Sequence, residues 1–312
     1  MMRTAFLFPG QGAQTVGMGA DIAAAFPAAA EVFERANHVV GFDLRKVCFE
    51  GPADRLNSTT MSQPAIYVTS AALLEVLRTS PAPQNVTADV TAGLSLGEYT
   101  AHYAAGTITF EDGLRLVKRR GEAMQAAADA TEGTMVSILG LDEDKVRQLC
   151  EEARQGELLE PVNFNCPGQI VVSGSLDACE RAERLAPAYG AIKAIRLEVA
   201  GAFHTDMMAG AAEALREALL QTQVSTPASV RTIANITADY YSSPEGVVEG
   251  LTRQLTRPIL WQKCMERLLA DGVEEFYEIG PGRVLTGLMK RINRKTKVTN
   301  VSDVGSLRAL TG

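Results

Sequence analysis

A serine between two glycines at fixed spacing is the first chemical signal in the chain. Gly93-Leu94-Ser95-Leu96-Gly97 fits G-x-S-x-G, where the flanking glycines allow a tight strand-to-helix turn that exposes a nucleophile. The flanks agree, since Ala88–Ala92 reads as a strand and Glu98–Ala105 as a helix. A serine hydroxyl is a poor nucleophile at neutral pH and needs a base. Only three histidines can serve as an imidazole base: His38, His102 and His204. His38 sits at a polar helix end, and His102 lies on the helix after the serine, pointing away from the turn. His204 lies in the loop Ala200–Asp206, where a side chain can be aimed across a cleft, and is the preferred candidate. No acidic residue stands nearby in sequence as a third member. A two-residue dyad, with the imidazole held by a backbone carbonyl, remains open.

Arg120 is the second signal. Winding Leu114–Met124 at about 100° per residue places Leu114, Val117, Gly121 and Met124 on one face. Arg115, Lys118, Arg119 and Glu122 fall on the solvated side, but Arg120 lands on the flank of the apolar face. A buried arginine needs an anionic partner. Two readings stand side by side: an internal salt bridge to an Asp or Glu, or a grip on a substrate carboxylate, for which the planar fork is suited. The loop Pro9-Gly10-Gln11-Gly12 is not a dinucleotide fingerprint, because Thr15 stands where G-x-G-x-x-G needs its third glycine. Such a loop can instead aim backbone amides at a developing oxyanion, with the amide after the elbow serine, Leu96, as the usual second donor.

Something must hold these residues together, and the pattern of elements says what. Short apolar runs lead into glycine loops and then helices: Ala5–Phe8 into Pro9-Gly10, Ala88–Ala92 into the elbow, Glu275–Ile279 into Gly280-Pro281-Gly282 and a helix at Val284–Ile292. This predicts an α/β fold with a parallel sheet and a ligand site beyond the carboxyl ends of its strands. A different rhythm occupies residues 130–200. A strand at Thr134–Leu141, a helix at Asp142–Ala153, strands at Val162–Asn165 and Gln169–Ser173, a helix at Leu176–Ala188 and a strand at Ala191–Val199 give β-α-β-β-α-β, the ferredoxin-like order. The expected organisation is therefore one large α/β-hydrolase-like subdomain, residues 1–129 and 201–312, interrupted by a small ferredoxin-like one at 130–200. Pro81-Ala82-Pro83 reads as a loop.

Composition narrows the function further. With 30 Lys+Arg against 37 Asp+Glu the net charge is -7, which argues against a nucleic-acid binder. Five widely spaced cysteines without C-x-x-C spacing, and no histidine pair at metal-ligand spacing, predict free thiols and no metal site. The first apolar run is too short for a signal-peptide core, and no stretch reaches membrane-spanning length, so a cytoplasmic protein is expected.

Taken jointly, the motifs resemble the malonyl-CoA:acyl carrier protein transacylase family and the related acyltransferase domains of polyketide synthases. The matching stretches are Phe8-Pro9-Gly10-Gln11-Gly12-Ala13-Gln14, Ser95-Leu96-Gly97-Glu98-Tyr99, Arg120-Gly121 with Met124-Gln125, Asn163-Phe164-Asn165-Cys166-Pro167-Gly168-Gln169, Gly201-Ala202-Phe203-His204 and Glu278-Ile279-Gly280-Pro281-Gly282. The resemblance implies ping-pong acyl transfer for fatty acid synthesis, without a cofactor, from malonyl-CoA to the phosphopantetheine thiol of an acyl carrier protein. It implies Ser95 as nucleophile, His204 as base, the Gln11 and Leu96 amides as oxyanion donors, and Arg120 as partner of the malonyl carboxylate. Phe203 would exclude an α-methyl group, while Met124 and Asn165 would be further substrate contacts. Two residues depart from the family pattern: Leu94 replaces a histidine before the serine, and Leu260 replaces a glutamine whose main-chain carbonyl would orient His204. The basic run Lys290, Arg291, Arg294, Lys295 and Lys297 has two readings, a docking surface for an acidic carrier protein or simply a solvated helix end. A monomer is expected. An acyl hydrolase sharing the elbow chemistry, and a docking subunit with a decayed site, are the rival readings.

Overall fold

The computed structural model describes residues 3–79, 86–226 and 229–311; the Pro81-Ala82-Pro83 loop lies outside them. Strand β1 (Arg3–Phe8) is buried along all but its first residue, as expected of a strand covered on both faces. Four short helices follow, α1 (Ala20–Ala25), α2 (Pro27–Val40), α3 (Leu44–Glu50) and α4 (Ala53–Asn57), and then the long α5 (Thr59–Thr79). Strand β2 (Val90–Gly93) runs into α6 (Gly97–Ala104), and α7 (Phe110–Asp129) packs along α5. Next come β3 (Gly133–Leu139), α8 (Glu143–Arg154), β4 (Leu159–Cys166), β5 (Gln169–Ser175), α9 (Leu176–Leu185) and β6 (Lys193–Arg196). The chain closes with α10 (Ala209–Leu220), β7 (Arg231–Thr232), α11 (Pro244–Gln254), α12 (Trp261–Ala270), β8 (Val273–Ile279), α13 (Val284–Ile292), β9 (Val298–Val301) and α14 (Val304–Thr311).

The fold is α/β, built on two sheets. The larger has the order β7-β2-β1-β8-β9 with every pairing parallel, so the loops after β1 and β2 emerge at the same end. The smaller is antiparallel, in the order β4-β5-β3-β6. Period-two alternation divides its residues between two environments. Val136, Ile138 and Val172 pack with Val146 and Leu149 of α8 and Cys179 of α9, whereas Met135 and Val171 join the core of the larger unit. A short parallel strap ties the units together: the Ile259 amide donates to Val162 O (2.7 Å) and the Phe164 amide to Ile259 O (2.9 Å).

Several boundaries differ from the sequence-based expectation, each for a local reason. The predicted helix Leu176–Ala188 ends at Leu185 and tightens into a 3-10 turn at Ala186–Tyr189, where Pro187 lacks the amide an α-helix needs. The predicted strand Ala191–Val199 is regular only over Lys193–Arg196; the Leu197 amide still donates to Met135 O (2.9 Å), and Leu197–Val199 go on to line the cavity described next.

Candidate active site

A cavity of about 610 Å³ opens at the carboxyl ends of β1 and β2, between the two sheets. Gly10, Gln11, Leu94 and Ser95 form its floor, Arg120 and Met124 one wall, and Met135, Asn163 and the segment Arg196–Val199 the opposite one; Phe203 and His204 complete it.

Ser95 stands on the turn between β2 and α6 with φ 50, the left-handed region that ordinary side chains avoid. Such a turn needs bare backbone around it. A Cβ on Gly93 would fall 1.9 Å from the carbonyl carbon of Gly97, and one on Gly97 would fall 2.1 Å from Phe8 O. The two outer positions of the sequence motif are therefore set by contact distance. Asn235, fully buried, stitches the turn shut: its Oδ1 accepts the Ser95 amide (2.7 Å) and its Nδ2 donates to Gly93 O (2.8 Å). The Ser95 amide is thus occupied. The Leu96 amide sits at the N-cap of α6, where the helix dipole favours negative charge, and Gln11 lines the cavity from the loop after β1.

His204 also carries a positive φ, 64, so two of the four non-glycine residues described in that region are the serine and the histidine. The His204 Nε2 lies 3.0 Å from Ser95 Oγ, and its Nδ1 lies 2.7 Å from Gln254 O. A carbonyl only accepts, so Nδ1 carries the proton and Nε2 is free to receive one from the serine. The orienting carbonyl is that of Gln254, not that of Leu260. Leu260 is engaged elsewhere: its amide donates to Asn235 O (2.8 Å), and its carbonyl accepts from Cys264 at the start of α12 (2.9 Å). Gln254 is the last residue of α11, where helix carbonyls lack intrahelical partners and the dipole is negative. That end stabilises an imidazolium without an acidic third member. Burial, and then the nearby Arg120 charge, push the His204 pKa down to about 3, so the imidazole is neutral near pH 7. Of the other histidines, His38 is exposed and His102 is buried against Thr107 (2.9 Å), away from the cavity.

Arg120 is 1% exposed, yet among the described residues no carboxylate pairs with it. Its fork is held by neutral acceptors: Gln63 Oε1 (2.9 Å), Gln254 Oε1 (2.9 Å) and Ser95 Oγ (2.9 Å), while Nε has no partner. Gly121 lets α7 approach α5 closely enough for the Gln63 contact, since a Cβ there would meet Thr59 O at 2.8 Å. Burial pulls the guanidinium below its usual value, but an arginine remains protonated at neutral pH. A cation with no direct ion pair therefore faces the cavity beside Ser95, with the Glu98 carboxylate bearing on it from behind Gln254. Of the two readings of Arg120, the internal salt bridge is absent.

Phe203 and Met124 line the cavity as expected, but Asn165 is buried outside its lining, and Asn163, two residues earlier on β4, lines the wall instead. The pairing of β4 with β5 shifts register between Pro161 and Asn163 and again between Phe164 and Cys166, which leaves Asn165 in a bulge without a partner residue on β5. Arg291 is also not a free surface cation. It donates to Gln169 Oε1 (3.1 Å), Pro167 O (3.0 Å) and Gly168 O (3.2 Å), joining α13 to the β4–β5 turn. Lys290, Arg294 and Lys295 are exposed. Sequence reasoning missed Gln254, Gln63 and Asn235, lone amides in no recognisable motif.

The acyl transferase domain family matches residues 5–309. The chain is 43% identical over 304 residues to the malonyl CoA-acyl carrier protein transacylase of Bacillus subtilis, covering 97% of this chain and 94% of that protein. It is 42% identical over 294 residues to the Escherichia coli protein of the same name, covering 94% and 93%. Among solved structures, the malonyl CoA-acyl carrier protein transacylase from Coxiella burnetii aligns with a TM-score of 0.94 at 33% identity, over 100% of this chain and 98% of that one. A malonyl-transacylase solved in complex with its type II PKS acyl-carrier protein aligns with a TM-score of 0.94 at 38% identity, over 99% of both chains. These relatives match along nearly the full length, and the chain belongs to the acyl transferase family, among its malonyl CoA-acyl carrier protein transacylases.

Proposed function

We propose that the protein moves a malonyl group from malonyl-CoA to the phosphopantetheine thiol of an acyl carrier protein through a malonyl-Ser95 ester, supplying extender units for fatty acid synthesis. The observation that carries the reading is one continuous set of contacts, Gln254 O to His204, His204 to Ser95, and Ser95 to a buried Arg120 that has no carboxylate of its own. Ser95 Oγ attacks the thioester carbon as its proton passes to His204 Nε2, and the carbonyl oxygen takes up negative charge beside the Gln11 and Leu96 amides. Collapse breaks the C–S bond, and the leaving thiolate takes the proton from His204. In the second half the carrier thiol gives its proton to His204, its sulfur attacks the ester carbon, and Ser95 leaves with that proton.

The free malonyl carboxylate takes the place beside Arg120 that neutral amides occupy only in part. Its arrival has a second effect. The Arg120 charge is among the causes that depress His204, so a carboxylate on the guanidinium raises the basicity of the imidazole as substrate binds. An acetyl group brings no such charge. The ring of Phe203, 4% exposed at the cavity wall, leaves little room for an α-methyl group.

Residues 1–129 and 201–312 read as an α/β-hydrolase-like subdomain, and 130–200 as an inserted ferredoxin-like one; the β-α-β-β-α-β order with strands arranged β4-β5-β3-β6 supports this. No described helix is long and apolar enough to cross a membrane, and the five cysteines are all buried and free, which supports a reducing, cytoplasmic setting. The carrier would approach as a transient partner of a monomer, with Lys290, Arg294 and Lys295 offering positive charge to an acidic surface.

Intact-protein mass measurement after incubation with malonyl-CoA tests the central claim. Wild type should gain one malonyl adduct and Ser95→Ala none. An adduct of equal amount on Ser95→Ala removes the nucleophile assignment.

A further inference from the structure

Behind the site lies an ionisable side chain that the acyl transfer does not use. Glu98, three residues after the nucleophile on α6, is fully buried and does not line the cavity. A buried carboxylate is costly unless donors surround it, and they do. Tyr241 Oη donates to Oε1 at 2.6 Å, the Asn235 amide to Oε1 at 3.4 Å, and Gln254 Nε2 to Oε2 at 2.5 Å.

The Gln254 side chain is caught between two charges. Its Oε1 accepts from Arg120 Nη2 at 2.9 Å, and its Nε2 donates both to Glu98 and to Ser95 O, the latter at 3.0 Å. A guanidinium can only donate, and an ionised carboxylate can only accept. Between them the amide has a single allowed orientation, with oxygen toward Arg120 and nitrogen toward Glu98. An uncharged group at position 98 accepts or donates equally well. The Gln254 amide then keeps its orientation through Arg120 and Ser95 O alone, without a charged acceptor on its nitrogen, and its hold on the Arg120 fork weakens.

We infer that Glu98 is a positioning residue for acyl selection: acting through the Gln254 amide, it holds the Arg120 fork in the orientation that receives a substrate carboxylate. The inference rests on the reading of Arg120 as the malonyl clamp. The groups that bear on Glu98 electrostatically are Tyr241 and Asn235 from the segment after β7, Gln254 of α11, Arg120 of α7, Tyr99 of its own helix and Cys264 of α12. Burial raises Tyr241, Tyr99 and Cys264 above their ordinary values, so none of them ionises at neutral pH. Glu98 itself is pushed up to about 7, chiefly by burial, which makes it the group of this cluster that changes charge near neutrality.

Single-turnover loading of malonyl-CoA and acetyl-CoA, measured in parallel, tests the inference in wild type, Glu98→Gln, Gln254→Ala, the double variant and Arg120→Ala. Glu98→Gln should lower the malonyl-over-acetyl preference in kcat/KM by about tenfold, mainly through the malonyl KM, with acetyl loading changed less than about twofold. Because Glu98 acts through the Gln254 side chain, the double variant should be no worse than Gln254→Ala alone. An unchanged preference in Glu98→Gln, or full additivity in the double variant, overturns the inference. Arg120→Ala separates this result from the reading beneath it. If Arg120→Ala keeps the malonyl preference, the clamp is wrong; if it loses the preference while Glu98→Gln keeps it, only the role of Glu98 falls. Should Glu98→Gln fail to fold, the wild-type pH profile decides: the preference should decline as pH falls through about 7. A preference that stays flat between about pH 8 and about pH 5.5 overturns the inference.

Discussion

His204 shows how a single side chain ties catalysis to stability. Its pKa falls from 6.5 in the unfolded chain to about 3 in the folded site, because burial penalises the charged ring. Between those values the unfolded state binds the extra proton and the folded state does not, so stability falls as pH drops below 6.5. His102, also lowered to about 3 by burial, adds to the same slope, whereas Glu98, raised to about 7, opposes it. Urea denaturation should therefore show His204→Gln losing less stability than wild type on acidification, by about 2 kcal/mol at about pH 5. Equal losses in the two proteins would mean that the imidazole is not held neutral. At this scale much of the site was legible. Ser95 announced itself by its glycines, His204 by scarcity and its loop, and Arg120 by its place on a helix flank. Gln254 did not, because its contribution is a main-chain oxygen at a helix end plus one amide, and neither leaves a pattern in the sequence.

The elbow is the element on which the chemistry depends most directly. It works only because β1, β2 and α6 approach without side chains between them, and the contact distances at Gly93 and Gly97 measure how little room there is. Gly97→Ala would drive a methyl group into the Phe8 carbonyl, which belongs to the central strand and has no route of retreat. Overpacking of this kind costs about 3 kcal/mol, and denaturant midpoints should register it together with loss of malonyl loading. A variant as stable as wild type would show that the loop relaxes. Elements with a strong internal pattern were readable in advance: the helix of Arg120, the elbow, and the strand–helix alternation between residues 130 and 200. The two-residue β7 and four-residue β9 were not, since strands so short carry no periodicity and exist only because the parallel sheet accepts them at its edges. The choice of Asn163 over Asn165 at the cavity was likewise hidden, because a bulge in β4 arises from pairing with β5 and not from the strand alone.

At the scale of the whole molecule, the cleft exists because two sheets share it. The large unit supplies Gln11, Ser95, Arg120 and His204, while Met135, Asn163 and the chain leaving β6 complete the lining. The net charge of -7 makes a local basic patch necessary for attracting an acidic carrier. Reversing Arg294 and Lys295 to glutamate should raise the carrier KM about fivefold while leaving malonyl-CoA loading unchanged. An unchanged carrier KM would move the docking surface elsewhere. Arg291 is unsuitable for that test, since its substitution would also loosen α13 from the β4–β5 turn. The carbonyl at the end of α11 has a consequence of another kind. It belongs to the backbone, so no codon change at position 254 can delete it, and alanine scanning will pass over the group that aims the imidazole. Mutation can abolish it only indirectly, by ending the helix one residue early or late. A backbone ester in place of the amide after Gln254, which weakens that oxygen as an acceptor, is the substitution that reaches it.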